Sequence, residues 1–330
     1  MPPDASSLPA EADEVLLAVN PKAGARSAGA RVQRLVDMLE AEGYQARVLD
    51  DLDQIAQAAN QSHAQGRLRA LIGVGGDGTA AELVNRTRPG TPITLLPAGN
   101  ENLLARHLGL DRDPASIFQA VKDGIVCKLD AARADERIFL LMIGCGFDGE
   151  VVRRVHQRRT GHIRSRNYAK PILQTIRSYQ YPQMRVYWGR QAEDGQPEAG
   201  QPEPAGDATE VASPLEARWL FAFNVPCYGG GMQLAPQADP GDGLLDVCAF
   251  GGGSWWHALR YVTATYLHRH ERLADCTTCR TDRLRITSDA QVPYQLDGDP
   301  GGSLPVDVEA LPGRLTMIVP ATKTNGDETH

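Results

Sequence analysis

The chain has 330 residues, of which 42% are apolar and 23% charged, and a formal net charge of -7. That composition excludes a disordered chain, a collagen-like fibre and a small disulfide scaffold, and at roughly 150 residues per domain the length predicts about two domains. The acidic balance argues against nucleic acid as a partner. No stretch approaches the roughly 18 consecutive apolar residues of a membrane-spanning helix. The first 14 residues lack a secretory pattern, so the six cysteines read as reduced thiols of a cytoplasmic protein whose membrane contact, if it has any, is peripheral.

Along the chain, residues 15–19 read as a strand ending in the turn Asn20-Pro21-Lys22-Ala23-Gly24. Val32, Leu35, Val36 and Leu39 have the spacing of an amphipathic helix over 31–39, stopped by Gly43. A strand at 46–49, a helix at 52–63 and a strand at 70–74 follow. The last opens into Gly73-Val74-Gly75-Gly76-Asp77-Gly78-Thr79 and a helix over 80–87, and a fourth strand at 93–96 ends at Pro97-Ala98-Gly99. Such alternation predicts a parallel sheet covered by helices. Beyond about Asp123 the apolar runs become short and close: 125–129, 138–143, 184–188, 219–225, 244–250, 284–287, 306–308 and 315–319. They predict an antiparallel sandwich, interrupted by helices near 164–177 and 255–270.

The expected architecture is a doubly wound α/β domain at 14–124, then an antiparallel β-sandwich domain at 125–320. Residues 1–13 and 321–330 are expected to be disordered, and 191–214, poor in large apolar residues, reads as a flexible insertion.

The glycine loop follows a buried strand and leads into a helix, where main-chain amides attract phosphate oxygens. It satisfies G-x-G-x-x-G, yet it sits on the third strand with no acid about 20 residues on, unlike a dinucleotide fingerprint. A Walker-type lysine loop is absent. Asp77 inside the loop would repel phosphate unless Mg²⁺ or an ordered network intervenes.

These residues resemble the diacylglycerol kinase catalytic-domain family in its bacterial lipid-kinase form. Asn20 to Gly24 is similar to its N-P-x-[SA]-G turn, and Gly75 to Thr79 with Glu82 and Asn85 to its G-G-D-G-T-x-x-E-x-x-N loop. Leu96 to Asn102 resembles L-P-x-G-T-x-N. Gly144 to Asp148 is similar to G-x-G-F-D. Asn224, Gly229-Gly230-Gly231 and Asp242-Gly243-Leu244-Leu245-Asp246 resemble the long segment ending in D-G-L-L-D. Asp297-Gly298-Asp299 stands where the family carries D-G-E.

The resemblance implies ATP held by Asn20, Gly75, Gly76, Asp77, Gly78, Thr79, Glu82, Gly99, Asn100 and Asn102, in a cleft between two domains. It implies Mg²⁺ on Asp242 and the carbonyls of Asp239 and Leu244. It also implies phosphoryl transfer to the hydroxyl of diacylglycerol or a similar lipid, with Asp77 and Asp299 catalytic and Asp297 the second candidate base. Asp297 would share a face with Asp299 if the stretch is extended. A soluble acceptor such as NAD, or a catalytically impaired nucleotide- or lipid-binding protein, are the alternatives. Departures at Asn100, Leu103 and Asp299, shorter than Glu by one methylene, motivate the last.

Arg153, Arg154, His156, Arg158, Arg159, His162, Arg164 and Arg166 form a basic cluster that suits either anionic headgroups or a solvated helix face. Trp255, Leu259, Val262 and Tyr266 fit one helical stripe and predict core packing over an interfacial anchor. His268, His270, Cys276 and Cys279 raise a zinc site with unusual spacing. A homodimer is compatible with all of this.

Overall fold

The computed structural model describes residues 6–9, 11–19, 25–157, 175, 177–188, 214–229 and 234–321. The first unit contains β1 (Ser6–Ser7), β2 (Glu14–Val19), α1 (Ala25–Ala41), β3 (Gln45–Leu49), α2 (Leu52–Ala64), β4 (Leu68–Gly75), α3 (Asp77–Arg86), β5 (Pro92–Pro97), α4 (Leu103–His107) and α5 (Pro114–Asp123). There follow β6 (Ile125–Ala134), β7 (Arg137–Phe139), β8 (Met142–Gly146), α6 (Phe147–Gln157), β9 (Met184–Trp188), β10 (Leu215–Ala217), β11 (Trp219–Phe223) and β12 (Leu245–Phe250). The chain ends with α7 (Trp255–Tyr266), β13 (Cys276–Thr281), β14 (Arg283–Thr287), β15 (Pro293–Leu296), β16 (Asp299–Ser303) and β17 (Val306–Ile318). All but the last residue of the insertion expected at 191–214, all but the first of the tail expected at 321–330, and most of the helix expected near 164–177 lie outside the described residues.

β2 pairs in parallel with β3 on one side and β4 on the other, and β4 pairs in parallel with β5. The order β3-β2-β4-β5 reverses direction between β2 and β4, and loops at the carboxyl ends of strands frame a crevice at such a switch point. Beside β5 the sheet takes in the end of β17, where Thr316 and Met317 pair in parallel with Pro92 and Ile93.

β17 begins elsewhere. Its first half pairs with β14, and β6 runs antiparallel to it along nearly its whole length. The two strands expected at 306–308 and 315–319 are therefore one, and with β6 it forms a ribbon passing through both units. The changeover lies at a bulge between Leu311 and Leu315, where Gly313 adopts φ 60° and donates to Asp130 Oδ1 at 2.7 Å.

The second unit is an antiparallel sandwich. One layer is β13-β12-β11-β8-β15-β16; the other is β10-β9-β14 extended by the ribbon and β7. β11 shows how the layers are filled: Leu220 and Ala222 face the sandwich core with Val186, Ile286 and Val308, while Trp219, Phe221 and Phe223 face outward beneath helices. The run expected as one strand at 138–143 is broken into β7 and β8, because the Asp297 carboxylate draws the amides of Leu140, Leu141 and Met142 out of the ladder.

One expectation is overturned here, and one minor alternative finds no support. α7 buries Ala258, Tyr261, Ala264 and Thr265, not the stripe of larger residues, so Trp255, Leu259 and Tyr266 are exposed. The Tyr261 hydroxyl fixes that rotation by donating to Asp275 and accepting from Gly252 N–H. The zinc reading also fails. Cys276 and Cys279 pack on opposite faces of β13, His270 Nε2 lies 2.9 Å from the Leu234 carbonyl, and no metal-ligating cluster occurs among the described residues.

Candidate active site

Two loops meet at the carboxyl ends of β4 and β5. Ala98 N–H donates to the Gly75 carbonyl at 2.8 Å, which brings 75–79 against 97–102. The three glycines of the first loop have different causes. A Cβ on Gly75 would run into the Thr79 side chain, and Gly76 and Gly99 approach so closely that a Cβ on Gly99 would stand 2.7 Å from Gly76 Cα. Gly75 and Gly76 therefore answer packing. Gly78 alone faces open space, where an added Cβ would meet only Asp299 Oδ2, at 3.6 Å. Gly76 caps α3 without a side-chain hydrogen bond, so no capping group covers this helix N-terminus, an arrangement suited to an anion.

Asp77 lies in this loop without aiming at the space a phosphate would need. Its carboxylate accepts from Leu103 N–H and Leu104 N–H, each at 2.9 Å, and so holds the start of α4. Burial raises its pKa, opposed by those two amides. Of the two ways an acid could be tolerated here, an ordered network is the one seen. Asn102, left-handed at φ 50°, folds the second loop by bonding both Gly99 N–H and Gly99 C=O, at 3.0 and 2.9 Å. Asn100 lies between them.

The sandwich contributes the opposite wall. Asp297-Gly298 is the two-residue turn joining β15 to β16, with positive φ at both residues, as an Asp-Gly hairpin requires. Asp297 and Asp299 are thus not on one extended face, which corrects the sequence expectation. Asp297 is tied down by three amides, at 2.7 Å from Leu140, 2.8 Å from Leu141 and 3.0 Å from Met142. Burial nevertheless lifts its pKa to about 6, with the charge of Asp77 adding to the rise. Asp299 is half-exposed beside Gly78, 3.3 Å from His156 Nε2 and 3.9 Å from Arg137. Arg137 also donates to Pro300 C=O.

Hydrogen bonds connect this hairpin to the acidic turn at 239–244. Asn224 Nδ2 donates to the carbonyls of Leu140 and Asp130, and the Asp130 carboxylate accepts from Gly243 N–H at 2.7 Å. Within the turn, Asp239 accepts from Gly241 N–H, and Asp242 accepts from Leu244 N–H and pairs with Arg280. Asp246 Oδ2 is buried without a hydrogen bond, with Arg280 Nε 3.6 Å away, and burial beside Asp239 raises its pKa to about 6. A hard cation held by Asp242 and main-chain carbonyls would have to displace Arg280, which now pairs with Asp242 and faces Asp246.

The remaining expected residues divide. Asn20 and Gly230-Gly231 lie outside the described residues, as do Arg158, Arg159, His162, Arg164 and Arg166. Glu82 pairs with Arg86 on α3, away from the loop. Arg153 and Arg154 both bind the buried Glu150, so one of the two positive charges in that part of the basic cluster is offset. Four residues went unread as site components. Arg31 donates to Pro97 C=O at 3.1 Å and Arg112 to Gly99 C=O at 3.0 Å, while His156 and Arg137 flank Asp299. His156 was visible only as a member of the basic cluster, and nothing local marks the others.

Known proteins resemble this chain along most of its length. The family model "Diacylglycerol kinase catalytic domain" matches residues 14–134, and "YegS C-terminal NAD kinase beta sandwich-like domain" matches residues 142–319. A diacylglycerol kinase of Mycobacterium tuberculosis is 28% identical over 260 residues, 76% of this chain and 77% of that protein. The diacylglycerol kinase of Bacillus subtilis is 21% identical over 311 residues, 92% and 95% of the two chains. The crystal structure of a diacylglycerol kinase from Bacillus anthracis shares the fold with a TM-score of 0.64 at 19% identity, covering 94% of this chain and 98% of that one.

Proposed function

This chain belongs to the diacylglycerol kinase family, and from that premise we propose that it transfers the γ-phosphoryl group of ATP to the hydroxyl of a lipid, diacylglycerol or a close analogue. One observation carries the reading: Asp299 of the sandwich stands over Gly78 at the uncapped start of α3, the one glycine of the loop whose missing side chain opens onto the cleft.

A lipid hydroxyl is a weak nucleophile, so transfer depends on positioning, charge neutralisation and a nearby base. The amides at the start of α3 would hold the triphosphate tail, with Arg31 and Arg112 braced on the adjoining loop. The hydroxyl oxygen forms its bond to the γ-phosphorus as the bond to the bridging oxygen of ADP breaks. The hydroxyl proton passes to Asp299, directly or through one water that makes up for the missing methylene. Arg137 and His156 orient that carboxylate. Asp77 acts through α4, which it anchors, and Asp297 through β8; neither has an oxygen to spare from its amides. Mg²⁺, when bound, supplies charge neutralisation, and the turn of Asp239, Asp242 and Leu244 would hold a structural ion.

The test is phosphoryl transfer from labelled ATP to diacylglycerol, a sphingoid base and NAD in parallel. We expect label on the lipid, and a drop of about 10²- to 10⁴-fold in kcat for Asp299→Asn with ATP affinity unchanged. Label on NAD alone overturns the lipid reading, and full turnover in Asp299→Asn removes that residue from the base role.

A further inference from the structure

Trp255 (48% exposed), Trp256 (61%), Leu259, Tyr266 (73%) and Leu267 are, with Val48, the exposed large apolar residues among those described. Five of the six fall on or beside one helix, α7. Soluble proteins scatter such residues singly; a contiguous set marks an interaction surface. The Trp255 and Trp256 rings stack at 3.9 Å between centroids, and Trp256, Leu259, Leu267 and Leu273 line a shallow groove of 440 Å³.

From this we propose that the outer face of α7 docks on an anionic bilayer surface; the proposal rests on the lipid-kinase reading for its purpose, though its observations are separate. Three features favour a bilayer. The exposed set is rich in tryptophan and tyrosine, whose ring bodies and polar tips suit the headgroup boundary, and it lies along an amphipathic helix. The charge around it is complementary to anionic lipid: in a chain of net charge -7, residues 247–270 contain no Asp or Glu, and Arg269 borders the groove outside the ion pairs of the described residues. Arg260, also on the groove, is paired with Asp275, and Glu271 is followed by Arg272, so neither acid makes the patch negative.

α7 shares its support with the helix that borders the cleft. Trp219 of β11 underlies both, its ring 4.3 Å from Phe147 at the start of α6 and 5.6 Å from Tyr261 in α7. α6 carries His156, which touches Asp299.

The experiment uses the full chain with phosphatidylcholine vesicles, with and without phosphatidylglycerol, read by flotation and tryptophan emission. Wild type should bind the mixed vesicles and show a blue shift. Trp256→Ser combined with Leu267→Ser should weaken binding at least about tenfold, and Arg269→Glu about fivefold on anionic vesicles. These side chains are exposed, so melting temperatures should not move; Tyr266→Ser is an independent variant if the pair fails to fold. Activity on diacylglycerol in detergent micelles separates the two readings. Lost vesicle binding with intact micellar turnover supports the docking face, and lost binding without turnover in any protein leaves docking standing while the lipid-kinase reading falls. Unchanged vesicle binding in the variants overturns the proposal, as does a wild-type dimer that the variants dissociate without any vesicle binding.

Discussion

Burial and hydrogen bonding compete over the Asp297 carboxylate, and the balance can be measured. Three amides favour its charge, yet burial prevails and the native pKa sits at about 6, against an unfolded value of about 3.9. The folded protein therefore holds the proton more tightly than the unfolded chain. The stability linked to that proton is complete below about pH 4 and is lost as the pH rises through about 6. A carboxyl titration followed by NMR should show the midpoint near 6 for this residue, and a midpoint at the ordinary value would mean the carboxylate is solvated. Asp297→Ala should cost about 2–4 kcal/mol by leaving buried amides unpaired. Asp77→Ala should also lower stability, because α4 loses its anchor, and with it nucleotide affinity, measured by calorimetry. From the sequence, Asp77 could be recognised as an acid that needs company in a phosphate loop. Its partners could not, since Leu103 and Leu104 offer main-chain amides that every residue type except proline also has.

Between elements, the glycines give a paired expectation. Gly99→Ala must separate two backbones now in contact, so it should lower the melting temperature and weaken ATP binding together. Gly78→Ala places its methyl at ordinary contact distance from Asp299, so the fold should melt as wild type while turnover falls. Equal melting losses in both variants would show that Gly78 too is a packing glycine. Element boundaries were legible where local chemistry sets them. Gly43 ends α1 in the left-handed region, and the repeated strand-helix units formed the expected parallel sheet. α5 has signals that are local too: Asp113 caps it, Pro114 opens it and Gly124 closes it. α7 misled for a physical reason. A stripe of large apolar residues specifies a helix face without saying which side of it the sheet will take, and here Tyr261, with its hydroxyl partnered, occupies the inner side.

At the scale of the molecule, α3 joins both walls of the cleft. Its first turn carries the glycine loop, and near its end Asn85 exchanges two hydrogen bonds with the backbone of Ile138, at 2.8 and 2.9 Å. Ile138 adjoins Arg137, which braces the Asp299 hairpin. Asn85→Ala should therefore cost about 1–2 kcal/mol and lower kcat more than it raises the KM for ATP; a change confined to stability would make the clamp purely structural. Chemical denaturation should give one transition followed by both far-ultraviolet and tryptophan signals, since the ribbon of β6 and β17 is part of both units, whereas two separated transitions would mean the lobes fold independently. None of this long-range connection was written locally: two short apolar runs near the C-terminus gave no sign of being halves of one strand. That continuity has a mechanical consequence. A kinase whose lobes meet at a loose loop can swing open; here a ribbon of paired strands joins them, so any swing must bend that ribbon, most readily at the bulge between Leu311 and Leu315 that Gly313 N–H pins to Asp130. Its resting angle is set by strand register, so the gap between Gly78 and Asp299 is a property of the chain before any substrate arrives.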